Sequence, residues 1–216
     1  MIKQLFAFVL LFAAVSTIGC SSLTNGGKIF EANSATSSAP VKTGVAPQAD
    51  QEIAVIETAD FGTIKIELYS NLAPQMVARF KELANSGFYN NTKIHRVDPQ
   101  LGIIQGGDPN SKDDNPANDG MGNSDKPNVP AEFSDVPFTA GIVAAARSNN
   151  PNSANSQFFI MTKPQPNFEK PGNRYTVFGK VIAGQDAVNL ISTAPTAASS
   201  QPAEPSVIRS ITIQKR

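Results

Sequence analysis

Short runs of apolar residues dominate the chain from residue 52 onward. The runs Glu52–Thr58 and Thr63–Leu68 are rich in β-branched residues and flank a turn-like Ala-Asp-Phe-Gly, which predicts a β-hairpin. From Pro74 the apolar positions instead recur at helical spacing until Gly87, and a proline suits the first helical turn. The domain is therefore predicted to open with two strands and one amphipathic helix.

Further apolar runs predict more strands and a second, short helix. The predicted helix covers 185–193, and the predicted strands cover 93–97, 103–105, 139–147, 156–162, 175–182 and 206–214. Many short strands with two helices indicate a mainly β fold, either an antiparallel sheet or a closed barrel. Between them, the loop Asp108 to Pro130 has almost no apolar content, and a loop of this length in a compact domain is usually functional or disordered.

The first 51 residues have a different pattern. A short positive start with Lys3 leads into an apolar run too short for a comfortable membrane span, so 1–19 is predicted to be a cleaved export signal. The residues before Cys20 resemble a bacterial lipobox, although Thr17 stands where Leu is usual. A lipidated Cys20 would anchor the chain at a membrane, whereas a plain secretory signal would leave it unanchored.

The rest of the N-terminal region, 20–51, is rich in Ser, Ala, Gly and Pro and has no sustained period. It is predicted to be a flexible tether, which places the folded domain at 52–216. In a Gram-negative host, Ser21 after the lipobox would suit export to the outer membrane.

Charge and cysteine content exclude several classes of protein. The 18 basic and 18 acidic side chains cancel, so no basic face suggests nucleic acid, and no nucleic-acid partner is expected. The protein is expected to be a monomer. With one cysteine, neither an intramolecular disulfide nor a thiolate metal cluster is available within one chain.

The stretch KIHRVDPQLGIIQGGDP contains the only histidine of the chain, His95, beside Arg96 and a Gln-Gly-Gly-Asp turn. A Ser-His-acid triad is disfavoured because the sequence lacks a Gly-x-Ser-x-Gly elbow. A zinc site would have to combine one histidine with carboxylates alone, and the glycines lack the further motif of a phosphate loop. Hydrolase, metal and nucleotide chemistry are each disfavoured.

Four blocks in order, IHRVDP...IIQGGDP, AGIVAAAR, NSANSQFFIMT and YTVFGKVIAG, resemble the cyclophilin-type peptidyl-prolyl cis-trans isomerases. The resemblance spans about Ile53 to Ile213. It implies a closed eight-stranded antiparallel β-barrel capped by two α-helices, with proline-containing segments of unfolded or exposed proteins as substrates and no cofactor.

Isomerisation of an X-Pro bond makes and cuts no bond, so it needs neither nucleophile nor metal, only tighter binding of the twisted amide than of the planar forms. The resemblance makes Arg96 the donor to the prolyl nitrogen, and it implies that Gln105 hydrogen-bonds the peptide backbone and holds Arg96 in place. It places Phe159 at the floor of the proline pocket, whereas Phe158 should face the core. The implied substrate-binding residues are His95, Leu101, Ile103, Ala146, Arg147, Gln157, Phe159, Phe168 and Tyr175. For His95 the alternative is a neutral imidazole bonded within the protein.

The chain departs from the family pattern near this pocket. The interval from Arg96 to Gln105 is one residue longer than usual, which predicts a bulge, and Leu101 stands where an aromatic wall is expected. Asn167 replaces a Trp that contributes to cyclosporin binding, so that binding should be weak. Two functions remain open: an exported isomerase of modest activity, or a cyclophilin-fold module that binds proline peptides with little catalysis.

Overall fold

The computed structural model of the chain describes residues 39–197 and 200–216. The predicted export signal and Cys20 lie outside these residues. Within the described part, no helix combines the length and the apolar character needed to cross a membrane.

Two helices and eleven strands make up the described regular structure, apart from four short 3₁₀ turns that each begin at a proline. The helices are α1 (Pro74–Asn85) and α2 (Gln185–Ser192). The strands are β1 (Val41–Lys42), β2 (Glu52–Thr58), β3 (Thr63–Leu68), β4 (Thr92–Lys93), β5 (Arg96–Asp98), β6 (Ile103–Gly106), β7 (Phe133–Ser134), β8 (Ile142–Ala145), β9 (Phe158–Met161), β10 (Val177–Ala183) and β11 (Val207–Lys215). The predicted hairpin, both helices and most of the later strands are confirmed. The strand predicted over 93–97 is broken at Ile94 and His95 into β4 and β5, and β1 and β7 were not predicted.

Nine strands form one antiparallel sheet in the order β4-β11-β2-β3-β10-β8-β9-β6-β5. The sheet curls so that β4 and β5, at its two ends, are separated along the chain only by Ile94 and His95. The expectation of a closed eight-stranded barrel is therefore wrong in strand number and in closure. Pairing of β5 with β6 stops at Arg96 and Gln105, and Gly107 then turns the chain away with a φ of +87°.

The sheet buries apolar side chains on both faces. One core contains the apolar face of α1 and the rings of Phe80, Tyr89 and Phe158. The other contains Phe159 and Phe168. Neighbouring residues of a strand point to opposite faces, so Phe158 and Phe159 belong to different cores, as predicted for Phe158.

Residues 41–51 lie against the domain, although composition predicts a flexible tether as far as residue 51. Strand β1 pairs in parallel with β7, and the Lys42 ammonium donates to the carbonyl of Leu72 at 2.7 Å. The Asp50 carboxylate accepts a hydrogen bond from Ser70 and forms an ion pair with Lys81 at 2.8 Å. Backbone pairing and a few polar contacts hold this segment, and neither leaves an apolar period in the sequence.

Candidate functional site

Antiparallel pairing brings three of the expected site residues into one row across the sheet. Arg96 of β5 lies opposite Gln105 of β6, which lies opposite Phe159 of β9, which in turn lies opposite Ala144 of β8. Side chains of directly paired residues project from the same face of a sheet. The strand register therefore assembles Arg96, Gln105 and Phe159 from segments up to 63 residues apart, from 96 to 159.

The Arg96 guanidinium is held by two neighbours. Its Nη2 donates to Asp98 Oδ2 at 2.7 Å, and its Nη1 donates to Gln105 Oε1 at 3.4 Å. The side chain is 37% exposed. Of the five N–H donors of an arginine, the other three have no protein partner among the described residues, so Arg96 can donate to a bound peptide.

Gln105 is connected to the long polar loop through Gln157. The Gln105 amide nitrogen donates to Gln157 Oε1 at 2.9 Å. The Gln157 amide nitrogen donates to the carbonyls of Gly120 at 3.1 Å and Gly122 at 2.7 Å. The Gln157 side chain was expected to contact substrate, but both its amide oxygen and its amide nitrogen already form hydrogen bonds within the protein.

His95 lies inside the protein, which fits the alternative of a neutral imidazole within the structure rather than a position at the pocket edge. It is only 3% exposed, and a Cβ added at Gly120 would lie 3.8 Å from its ring. Burial lowers the pKa of His95, while the nearby Asp108 carboxylate opposes that shift. The ring is therefore neutral at pH 7, and a direct contact with a peptide would require the loop above it to move.

The loop also forms one wall of a cavity of about 340 Å³. The loop contributes Gly120, Met121, Asn123 and Asn128, and the opposite wall includes Gln105, Ala146, Arg147 and Gln157. The backbone N–H of Ala146 already donates to the carbonyl of Gln157 at 2.9 Å, so it is not available to a peptide. The long loop thus lines the site.

A second cavity, of about 430 Å³, shares Arg147 with the first. It is lined by Leu101, Arg147, Asn167, Phe168 and Tyr175, among others. The Arg147 guanidinium lies 4.8 Å from the centre of the Tyr175 ring and donates to the carbonyls of Ser148, Gly172 and Arg174. Arg147 is a fixed wall between the two cavities, held by stacking and by hydrogen bonds.

Two residues expected to line the proline pocket are covered. Phe159 is 2% exposed and Ile103 is 4% exposed, and neither belongs to the lining of the second cavity. The Phe159 ring packs edge-on against Tyr175 at 5.1 Å and is 5.9 Å from Phe168. Because the rings of Phe168 and Tyr175 pack over Phe159, the accessible apolar surface comes from Leu101, Phe168 and Tyr175.

The extra residue between Arg96 and Gln105 lies in a turn, so the predicted bulge is wrong. Strands β5 and β6 pair without a register shift as far as Asp98 and Ile103. The chain then closes with a hydrogen bond from Gly102 N to the Asp98 carbonyl at 2.8 Å, and Gly102 has a φ of +70°. The Asp98 carboxylate accepts from the backbone of Gln100 and Leu101.

Sequence reasoning missed Asp98 and the stacked position of Arg147. An aspartate before a proline and a turn is a sequence signal for a side chain that accepts hydrogen bonds from the turn backbone, and this signal could have identified Asp98. No sequence signal pairs Arg147 with Tyr175, because they lie in two separate segments, one after β8 and one before β10. Among the described residues, no group of three or more His, Cys, Asp or Glu side chains could hold a metal ion.

A curled antiparallel sheet with two helices, bearing an arginine, a glutamine and a phenylalanine in one row across three strands, defines the class of cyclophilin-like folds. Residues 53–213 match the family model described as cyclophilin type peptidyl-prolyl cis-trans isomerase/CLD. The chain belongs to this family, and its activity is that of a peptidyl-prolyl cis-trans isomerase.

Individual relatives agree with this assignment. The chain is 42% identical over 173 residues to a Brucella suis protein named "Probable peptidyl-prolyl cis-trans isomerase", covering 78% of this chain and 86% of that protein. A peptidyl-prolyl cis-trans isomerase of Acinetobacter baylyi is 38% identical over 148 residues, covering 63% of this chain and 70% of that protein. A crystal structure of a Cryptosporidium parvum cyclophilin type isomerase, in the presence of the dipeptide Ala-Pro, aligns with a TM-score of 0.66 at 30% identity, covering 76% of this chain and 99% of that one.

Proposed function

We propose that this isomerase acts on proline-containing segments of exported proteins, with Arg96 as the group that stabilises the twisted amide. The observation that carries the proposal is the row of Arg96, Gln105 and Phe159 on one sheet face. The Phe159 ring packs against Phe168 and Tyr175, which line the second cavity together with Leu101. In this proposal the proline ring packs on Leu101, Phe168 and Tyr175 in that cavity, and Arg96 donates to the prolyl nitrogen.

Rotation about the X-Pro bond breaks amide resonance and gives the prolyl nitrogen lone-pair character. A guanidinium is always charged, so a hydrogen bond from Arg96 to that nitrogen is strongest in the twisted state and absent in the planar states. Gln105 holds the guanidinium and donates no proton in the reaction. A neutral, buried His95 has no chemical role in this mechanism, because no proton is transferred.

The test uses the full chain purified in detergent and exchange NMR of a proline-containing peptide. We expect Arg96→Ala to slow cis-trans exchange at least about a hundredfold, a loss of about 2.7 kcal/mol, typical of removing one transition-state donor. The matched control is Arg209→Ala, because Arg209 is an exposed arginine on β11 that donates to the Ala59 carbonyl. If Arg96→Ala catalyses exchange as fast as wild type, the mechanism is wrong.

The alternative of a weak catalyst that mainly binds proline peptides is favoured by one observation. Phe159 and Ile103 are covered, so a proline ring meets less apolar surface than an open pocket would offer. The same experiment separates the two functions. A binding module would shift the peptide resonances without accelerating exchange.

The location of the protein is also a proposal. It is exported and anchored through lipid on Cys20 in a bacterial membrane, with the outer membrane as the destination in a Gram-negative host, and it acts there as a monomer. The apolar run before Cys20 and the lipobox-like residues support this. Mass spectrometry of the mature N-terminus tests it, and an unmodified Cys20 or cleavage elsewhere would remove the anchor.

A further inference from the structure

Asp98 makes separate contacts with its two carboxylate oxygens. Oδ2 accepts from Arg96 Nη2 at 2.7 Å. Oδ1 accepts from the backbone N–H of Gln100 at 3.1 Å and of Leu101 at 2.9 Å. One side chain therefore joins the guanidinium of Arg96 to the turn that carries Leu101.

This carboxylate is better shielded than its partner. The Asp98 side chain is 11% exposed, whereas Arg96 is 37% exposed. A short, charge-assisted bond donated to a fixed, shielded carboxylate restricts the guanidinium more than an exposed surface pair would. The Gln105 contact, at 3.4 Å, is longer and weaker.

The longer turn is itself held in place from both ends. Besides the Asp98 contacts, the Lys163 ammonium donates to the Pro99 carbonyl at 2.6 Å, and Thr162 N donates to the Gly102 carbonyl at 2.8 Å. Leu101, within this turn, lines the second cavity. The position of the turn therefore determines where the apolar wall stands relative to Arg96.

We propose that Asp98 is a positioning residue for isomerisation, which orients Arg96 through one oxygen and places Leu101 through the other. The inference rests on the proposed role of Arg96. Asp98 does not touch the peptide. Its carboxylate also offsets part of the guanidinium charge, but orientation outweighs this effect because the exposed side of Arg96 remains solvated.

The substitution Asp98→Asn separates the two contacts. The Asn side-chain oxygen still accepts from Gln100 and Leu101, while its amide group presents donors to Arg96 instead of an acceptor. Asp98→Ala removes both contacts. The control is Asp113→Asn, because Asp113 caps a turn in the same way, accepting from Asn115 N at 2.8 Å, and does not contact Arg96.

The experiment measures kcat, KM and Tm for the full chain in detergent, with a proline-containing peptide as substrate, and records the Arg96 Nε–Hε signal by NMR. We expect Asp98→Asn to lower kcat about fivefold with KM and Tm nearly unchanged, and to shift or broaden the Arg96 signal. Asp98→Ala should also lower Tm and raise KM. Asp113→Asn should behave as wild type.

Retention of full kcat in Asp98→Asn would overturn the proposal. A loss that follows only Tm or KM, with an unchanged Arg96 signal, would also overturn it, because Asp98 would then act on the turn alone. If Arg96→Ala loses activity while Asp98→Asn does not, only the role of Asp98 fails. If Arg96→Ala keeps full activity, the Arg96 mechanism fails, and the role of Asp98 fails with it.

Discussion

Glu132 stabilises the start of α1 from a distant part of the chain. The helix has no side-chain cap of its own, since Ala73 stands at the N-cap position and Pro74 has no N–H. The two free N–H groups of the first turn donate to the Glu132 carboxylate, from Gln75 at 3.1 Å and from Met76 at 3.0 Å. The substitution Glu132→Gln should therefore destabilise the domain.

The expected cost can be worked from these contacts. Gln keeps the size of Glu but replaces one acceptor oxygen with an NH₂ group, so one backbone N–H of the helix loses its charge-assisted bond, at about 1.5–3 kcal/mol. Loss of the negative charge at a helix N-terminus adds about 0.3–1 kcal/mol. The sum is roughly 3 kcal/mol, which corresponds to a Tm lower by about 6–12 °C for a domain of this size.

Thermal unfolding followed by circular dichroism at pH 7 measures this directly. The matched control is Glu204→Gln, because Glu204 is exposed, and this variant should have the Tm of wild type. A Tm of Glu132→Gln within about 2 °C of wild type would refute the capping argument. It would mean that water or a neighbouring group replaces the lost acceptor at little cost.

Three further predictions concern pH, the N-terminal segment and the pocket. Burial lowers the pKa of His95 in the folded protein, against the opposing effect of Asp108. As the pH drops below about 6.5, His95 is therefore protonated in the unfolded chain before it is protonated in the folded one, and the stability of the folded domain falls. His95→Gln should lose less stability than wild type between pH 7.5 and 5.5 in urea titrations, and an equal loss would contradict this. Burial raises the pKa of Asp50, but hydrogen bonds from Lys81 and Ser70 outweigh burial and lower the pKa overall. The Asp50 carboxylate therefore stabilises the folded domain at neutral pH, and this stabilisation is lost as the pH falls through the lowered pKa. Asp50→Asn should cost about 1 kcal/mol at pH 7, and the difference from wild type should vanish in strong acid. Leu101→Phe should raise kcat/KM about two- to fivefold by restoring an aromatic wall, and exchange NMR showing no gain would argue that Leu101 does not contact the proline ring.

Much of the fold follows from local patterns in the sequence. The hairpin of β2 and β3 and the bounds of α1 come from β-branched runs, a turn and helical spacing beginning at a proline, each a short-range signal. The four motif blocks likewise indicate the family, and with it Arg96 and Gln105 as the central pair. These features were predictable because each depends on residues close together in the chain.

Other features depend on contacts between distant segments. The sequence shows a long polar loop, but only the tertiary structure places Gly120 and Gly122 on the Gln157 amide. Composition suggests a tether as far as residue 51, yet β1 pairs with β7 more than 90 residues later, at Phe133. Backbone pairing leaves no apolar period, so composition alone could not reveal it.

The sequence by itself determined which residue types are available for catalysis, the export-like start and the order of the helices and longer strands. The tertiary structure decided how these groups are used. It buried His95, covered Phe159 with Phe168 and Tyr175, and placed the extra residue in a turn capped by Asp98. Exposure and pairing of this kind depend on packing between strands that are remote in sequence, and no local pattern encodes that packing.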